Sequence, residues 1–459
     1  MSVQWGSSVA GCQSGREGGS VVSDNERGPA SVLYGSDPTP GLTAVEVSEG
    51  EAILIRAAGS DGKDRTQERR PFLPWLLLSE HVAPNTSDEM PPGARWTRLE
   101  GTGLAWLVEF RSWSEFLSTR ERLRSAGIPQ HAYSSPVKQF LVRSGVTLFR
   151  ELGFQSVRRL QFDLETTGLR WDEPSSRILL IVASDNRGGE WVFSGGSEAA
   201  LLEQFVALVR EVDPDVLEGH NVFGFDLPWL DARARACRLS LALGRDGSPV
   251  AFGRERSAAM GGTVRPFRPA YVWGRHVLDT FLGVARFDVG RGELESYGLK
   301  EAAQHYGIAS AERVYLDRSR LAELWVSDPE RVRRYALQDV EETRRLAELV
   351  FPAEFYQTQM APDSYQSVAT GGTGEKINAL LIREYLRQGR AVPLPQPPVA
   401  CPGGYTEIRQ VGVVHRVVKA DVESLYPSIM LHYGIQPAAD HLGVFLPMLR
   451  ELTTRRIQA

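Results

Sequence analysis

The chain has 459 residues, 42% hydrophobic and 24% charged, and a net charge of −5. That length suits about two to four domains with ample core material, and the acidic balance excludes a chain that is basic throughout, so any nucleic-acid contact has to come from local patches. No apolar run approaches the ~18 residues of a membrane span, the N-terminus lacks a secretory signal, and three scattered cysteines (Cys12, Cys237, Cys401) point to a reducing cytosol with no zinc site.

Residues 1–30 are Gly/Ser-rich without periodicity and are expected to form a disordered extension, or to result from an upstream start. Structure is expected from "SVLYGSDPTPGLTAVEV", read as a strand, a Pro/Gly turn and a second strand with Thr43, Val45 and Val47 on one face. Strands continue through "EAILIRAA" and "LAWLVEF", and "SWSEFLSTRERLRSAG" predicts a helix ending at Gly127. Residues 31–150 thus read as a strand-rich N-terminal domain.

From 151 the pattern changes. "VRRLQFDLET", "RILLIVASD", "EWVFSG" and "PDVLEGHN" read as strands. "SEAALLEQFVALVREV" and "FDLPWLDARARACRL" read as helices, the first with Leu201, Leu202, Phe205, Val206 and Val209 on one face. Strands in series and then alternating with helices predict an α/β domain with a mixed central sheet over 151–350. Between Leu243 and His276 lies a Gly/Pro-rich insertion with six arginines (Arg245, Arg254, Arg256, Arg265, Arg268, Arg275) against Asp246 and Glu255. Asp328-Pro329 marks a helix start, an N-cap followed by Pro at the first helical position. A helical connector around "GEKINALLIREYLRQG" and a Pro-rich linker fill 351–404, and a strand pair around "YTEIR" and "HRVVKADVESLYPS" opens 405–459. The fold class expected is α/β and α+β, multidomain.

Asp163 and Glu165 are two apart on a strand and so share a face. Asp226 follows the loop after a buried strand, and Tyr335 and Asp339 are one helical turn apart. Four converging carboxylates would repel one another unless cations bound them. Hard oxygen ligands suit Mg²⁺ or Mn²⁺, and two such ions about 4 Å apart can hold both the attacking and leaving oxygens of an in-line phosphoryl displacement. Each signal alone also fits a solvated strand end, a helix cap or a half-buried Tyr beside a surface Asp; their order and contexts together are what point to a site.

"FDLETTGL", "GHNVFGFD" and "YALQD" resemble the three motifs of proofreading 3′–5′ exonucleases with a DEDDy active site, and "DVESLYPSIM" resembles the first metal-binding palm motif of family B DNA polymerases. "CPGGYTE" is similar to the Gly-Gly-Tyr stretch before that motif, and "GRHVLDT" and "ESYGLKEAAQHYG" to stretches between the second and third exonuclease motifs. The resemblance covers roughly residues 32–459 and implies a ribonuclease H-like exonuclease domain followed by an incomplete polymerase palm. It implies that Asp163, Glu165, Asp226 and Asp339 bind two Mg²⁺ (or Mn²⁺) and that Tyr335 orients the attacking water, all five being catalytic. It further implies that Asn221 and Phe225 hold the DNA 3′ end, and that Asp279 is structural. In the palm, it implies that Asp421 and the carbonyl of Val422 bind Mg²⁺ once the site is complete. Ser424, Leu425 and Tyr426 would cradle the incoming triphosphate through backbone N–H groups, with the Tyr426 ring crowding out a 2′-OH. Val422 departs from the aromatic residue that many members carry after the palm Asp. The arginine-rich insertion resembles the place of a hairpin near template DNA; a solvated surface loop is the other reading.

A basic fingers helix, a second palm carboxylate motif and a thumb are missing, and "FLPMLRELTTRRIQA" reads as the start of the helix towards the fingers. One palm carboxylate cannot fix two metals. The expectation is therefore the N-terminal portion of a family B DNA-directed DNA polymerase that alone has only exonuclease activity, truncated or naturally split. The alternatives are a stand-alone DEDDy exonuclease and a non-catalytic DNA-binding subunit of polymerase descent. Expected partners are primer-template DNA, single-stranded 3′ ends, deoxynucleoside triphosphates in the complete enzyme and a C-terminal polymerase fragment, with no membrane; the expected location is cytoplasmic, associated with the nucleoid.

Overall fold

The computed structural model describes residues 30–458 except 59–63, 83–89, 174, 261–262, 397–404 and 419. The expected disordered extension and the "CPGG" stretch lie outside the described residues, apart from Ala30. The first predicted strand is instead a short helix, Ala30–Tyr34. It is held by Leu33, which packs with Leu380 and Met448 from the C-terminal helices rather than with a neighbouring strand.

Two antiparallel sheets follow. Leu42–Ser48, Glu51–Ala58 and Asp64–Pro71 form a three-stranded meander. A four-stranded sheet (Trp75–Leu78, Arg95–Arg98, Trp106–Glu109, Gln130–His131) is backed by the helix Trp113–Ser125, with Leu76, Leu78, Val108 and Phe110 packed on Phe116 and Leu123. That helix is capped by the Ser112 side chain, which accepts from the Glu115 N–H, and Gly127 follows its end with φ 70°.

The next unit contains the carboxylates, and its elements are numbered here. Strands are β1 (Arg159–Thr166), β2 (Ile178–Asp185), β3 (Glu190–Ser194), β4 (Val216–Gly219) and β5 (His276–Asp279); helices are α1 (Glu198–Val212), α2 (Asp226–Ala236), α3 (Thr280–Asp288), α4 (Leu299–His305) and α5 (Pro329–Val350). The sheet order is β3-β2-β1-β4-β5, antiparallel on the β3/β2/β1 side and parallel from β1 to β5. This is the mixed central sheet expected.

Both faces of the sheet are covered, so the strands read as continuous apolar runs. Period-2 alternation sorts them. Phe162, Leu164, Ile181 and Ala183 pack against Leu202, Phe205 and Val209 of α1. Leu180 and Val182 point the other way, onto Val332, Ala336 and Val340 of α5. Because Asp163 pairs with Val182 and Glu165 with Leu180, both carboxylates emerge on the α5 face. As predicted, α5 starts at an Asp328 cap accepting from the Arg331 N–H, with Pro329 at its first position.

The insertion forms a hairpin, Arg256–Met260 with Thr263–Phe267, above a short pair, Ala251–Phe252 with Ala270–Tyr271. Its six arginines do not act alike: Arg245 and Arg275 are buried and bind Asp213, while Arg254 is exposed.

The strand pair expected around "YTEIR" and "HRVVKADVESLYPS" does not form among the described residues. Among the described residues from 405 to 422 there is no strand; Glu423 and Ser424 form a turn, and Leu425–Tyr433 is helical. Strands need ladder partners and a covered face, and neither is found here: Ile408, Val411, Val413, Val417 and Val418 are all exposed. The predicted last helix does form, Phe445–Gln458. It is anchored by Asp440, which accepts from the Phe445 N–H at 2.8 Å and from the Tyr385 hydroxyl at 3.0 Å. Among the described residues no helix is long and apolar enough to cross a membrane.

Candidate active site

The site is built on three elements. β1 supplies Asp163 and Glu165, the first residue of α2 is Asp226, and α5 supplies Tyr335 and Asp339. One carboxylate oxygen each from Asp163, Glu165 and Asp339 lies within 4.8 Å of the others. Asp226 stands outside that trio, although its charge is felt together with that of Asp163. Tyr335 and Asp339 are fully buried and Asp226 nearly so.

The loop from β4 to α2 is shaped by Gly219 and Asp279. At Gly219 a Cβ would lie 2.9 Å from the Val222 side chain and 3.4 Å from the Phe162 carbonyl, so only Gly lets the chain turn this close to β1. Asn221 takes a left-handed conformation, φ 65°. It is held by Asp279, whose carboxylate accepts from the N–H groups of Asn221 (2.8 Å), Phe223 (3.3 Å) and Phe281 (3.0 Å). Asp279 is thus structural: it caps α3 and fixes the loop that delivers Asp226. Phe225, half-buried, sets its ring 5.8 Å from that of Trp229.

Burial dominates the electrostatics. The Asp163 carboxyl is pushed up to about 6, chiefly by burial, with Arg318, the Leu164 N–H, Lys300 and Arg313 pulling the other way. Glu165 is pushed up to about 8, by burial first and then by the charge of Asp163. Asp226 is raised well above the usual carboxylate range by burial, then by Asp163 and Asp279. Burial also keeps His220 neutral, pushing it down to about 3.

Four buried oxygens, Asp163 Oδ2, Glu165 Oε1, Asp226 Oδ1 and Asp339 Oδ2, accept no hydrogen bond. Buried acceptors are nearly always partnered. An all-carboxylate donor set with one open lone-pair site on each member fits a hard divalent cation.

Sequence reasoning missed the cations around this set. Lys300 of α4 donates to the Tyr335 hydroxyl. Arg318 Nε donates to the same hydroxyl at 3.2 Å. Arg313 pairs with Asp339 and, at 2.8 Å, with Glu342. Arg313 and Arg318 lie on the segment before α5, which has no periodicity to place them. Lys300 does sit in "ESYGLK", at the first turn of what the structure shows to be α4, an unfavourable position for a cation with respect to the helix dipole.

The other predicted residues are not brought to this site. Asp421 is exposed and accepts from its neighbour Val422 N–H at 2.9 Å, Val422 and Tyr426 are 58% and 71% exposed, and Ser424 takes φ 53° ahead of the helix that Leu425 begins. Among the described residues Asp421 belongs to no group of three or more side chains that could hold a metal ion.

Residues 180–301 match the model of the DNA polymerase family B exonuclease domain. Among curated proteins, the chain is 26% identical over 357 residues to a DNA polymerase of Desulfurococcus sp. (strain Tok), covering 72% of this chain and 44% of that one. It is 26% identical over 428 residues to DNA polymerase 1 of Pyrococcus abyssi, covering 85% and 53%. The chain spans about half the length of these relatives. Among solved structures, the family B DNA polymerase from Pyrobaculum calidifontis superposes with a TM-score of 0.65 at 20% identity, over 90% of this chain and 62% of that one, a likeness of fold.

Proposed function

From the premise that this chain carries the exonuclease domain of the family B DNA polymerases, we propose that it removes nucleotides from single-stranded DNA 3′ ends by metal-dependent hydrolysis. The observation that carries this reading is the set of four buried, unpartnered carboxylate oxygens on β1, α2 and α5. Asp163, Glu165, Asp226 and Asp339 would hold two Mg²⁺ or Mn²⁺ ions. Bound there, such ions would lower the pKa of a water so that it is available as hydroxide at neutral pH, and would stabilise the leaving 3′ oxygen.

The chain's own residues do the rest. The Tyr335 hydroxyl, fixed by Lys300 and Arg318, orients the attacking water without itself having to ionise. Asn221, on its strained loop, and the half-buried Phe225 hold the terminal nucleotide, Phe225 by stacking. The apolar packing beneath β1 keeps Asp163 and Glu165 in register, which proximity catalysis requires.

In the same reading, Asp421 and the Val422 carbonyl contribute one half of a nucleotidyl-transfer metal site, and Ser424, Leu425 and Tyr426 cradle the triphosphate. The exposed helix at Leu425 would be covered, and the strand before it formed, once further palm segments pair with it, on this chain or on a separate C-terminal polypeptide. Primer-template DNA and deoxynucleoside triphosphates are the substrates of that complete enzyme. The divisions 31–150, 151–350, 351–404 and 405–459 belong to the same proposal.

The test is degradation of a 5′-labelled single strand by the purified chain. Ladder products should appear with Mg²⁺ or Mn²⁺, vanish with EDTA, and vanish in the Asp163→Ala, Glu165→Ala double variant. An intact strand with the wild-type chain and either ion refutes the exonuclease reading.

A further inference from the structure

The three cations around the carboxylates are not equivalent. Arg313 is buried, and its guanidinium is committed to Asp339, Glu342, the Gln338 side chain and the Val314 carbonyl. Lys300 is half-buried, donates a hydrogen bond to the Tyr335 hydroxyl and lies 4.2 Å from the centre of its ring. Arg318 differs from both, because its side chain is 61% exposed. Its Nε is anchored on the Tyr335 hydroxyl at 3.2 Å. Its Nη2 stands 3.8 Å from Asp339 Oδ2, beyond hydrogen-bond reach. Among the described residues its two terminal nitrogens make no hydrogen bond, Nη2 having only the long ion pair to Asp339, so an exposed guanidinium beside the carboxylates keeps donor capacity to spare.

We propose that Arg318 is a substrate-binding residue that receives the non-bridging oxygens of the terminal phosphodiester of the DNA strand. This rests on the exonuclease reading above and adds a residue to it. A phosphodiester is an anion, and it must approach four carboxylates. A fixed guanidinium at the rim offsets that repulsion, and its planar fork matches two phosphate oxygens in a way an ammonium cannot. Its positive charge already acts on Asp163, Glu165 and Asp226. The anchor adds a second consequence. Because one hydroxyl holds Arg318 and, in the proposed reaction, orients the water, the phosphate and its attacker are positioned from the same atom. Arg313 cannot take this part, since it is buried and paired with Asp339 and Glu342 in the interior. Lys300 offers a point charge without the fork.

The experiment compares the wild-type chain with Arg318→Ala and Arg318→Lys. Binding is read by fluorescence anisotropy of a labelled oligothymidylate whose last linkages are phosphorothioates, in Mg²⁺, over a range of salt; kcat and KM are read on ordinary DNA. Arg318→Ala is expected to weaken binding about tenfold and to lower the slope of log affinity against log salt by about 0.7, the value for one single-strand phosphate contact. KM rises by the same factor and the melting temperature stays where it is, because the side chain is exposed. Arg318→Lys keeps the slope and recovers part of the affinity. Wild-type affinity and slope in Arg318→Ala, even with a lower kcat, would make Arg318 a partner of Tyr335 only and overturn the proposal. So would a loss of affinity with an unchanged slope. If the wild-type chain degrades DNA and Arg318→Ala binds like it, only Arg318 is misassigned; if the wild-type chain itself neither binds nor degrades, the exonuclease reading fails and the proposal with it.

Discussion

Arg245 Nη2 lies 2.9 Å from Asp215 Oδ1, so one arginine of the basic insertion serves the interior of the protein. The same guanidinium holds Asp213 through Nε at 2.8 Å, and Asp215 also accepts from Arg65 of the three-stranded N-terminal sheet at 2.9 Å. The network ties that sheet to the start of β4, and β4 leads into the loop that carries Asn221 and Asp226. Arg245→Ala is expected to cost about 3 kcal/mol, since it leaves buried carboxylates short of a partner. Arg254→Ala, on an exposed residue, should stay within about 0.5 kcal/mol. Urea unfolding of the two variants separates them; equal midpoints would mean that the network contributes nothing.

Tyr335→Phe removes a single oxygen from a fully buried ring. Fold and metal ligands remain, but Lys300 and Arg318 lose their shared acceptor and the attacking water loses its guide. The expected loss is about 10²-fold in kcat, the lower end of what a positioned proton-handling group contributes, with the melting temperature lowered by no more than a few degrees. A kcat within twofold of wild type would place water orientation on another group.

Gly224→Ala tests the loop geometry. A Cβ there would lie 2.5 Å from Asn221 Oδ1. The side-chain amide can swing away, so the stability cost should be under about 1 kcal/mol, while the hold on the terminal nucleotide loosens. A rise in KM for single-stranded DNA with an unchanged melting temperature is the expected result. An unchanged KM would remove Asn221 from the binding machinery.

Glu46, on the strand Leu42–Ser48, accepts from the Gly274 N–H at 2.8 Å. Its carboxyl is pushed up to about 7, by burial first and also by Asp246, against the pull of that N–H. A raised folded-state value means that the protonated form stabilises the fold. That stabilisation is complete below about 4.5 and is lost as pH rises through about 7. Glu46→Gln, neutral at every pH and still able to accept from Gly274, should melt with the wild type near pH 5. Near pH 8 it should be more stable by roughly 1–3 kcal/mol. A variant less stable than wild type at pH 8 would refute the assignment.

Much of the unit that carries the carboxylates was legible in the sequence, because its signals are periodic and local. Spacing of two on a strand put Asp163 and Glu165 on one face, and spacing of four on a helix put Tyr335 with Asp339. The Asp328-Pro329 start of α5 and the end of the helix at Gly127 were equally readable, since caps and turns depend on residues next to one another. The palm strand was misread for the complementary reason. Asp421 follows a run with strand propensity, but a strand exists only with neighbours to bond to, and among the described residues 405–422 has none.

What the sequence determined by itself was therefore the identity of the carboxylate set and the element that carries each member. The tertiary structure decided the rest. It set the register that pairs Asp163 with Val182 and turns both β1 carboxylates towards α5, and the choice of Arg245 and Arg275 for the interior while Arg254 stays at the surface. It also gathered Lys300, Arg313 and Arg318 around one hydroxyl and one carboxylate. These are contacts between residues far apart in the chain or on segments without periodicity, and only packing brings them within hydrogen-bond reach.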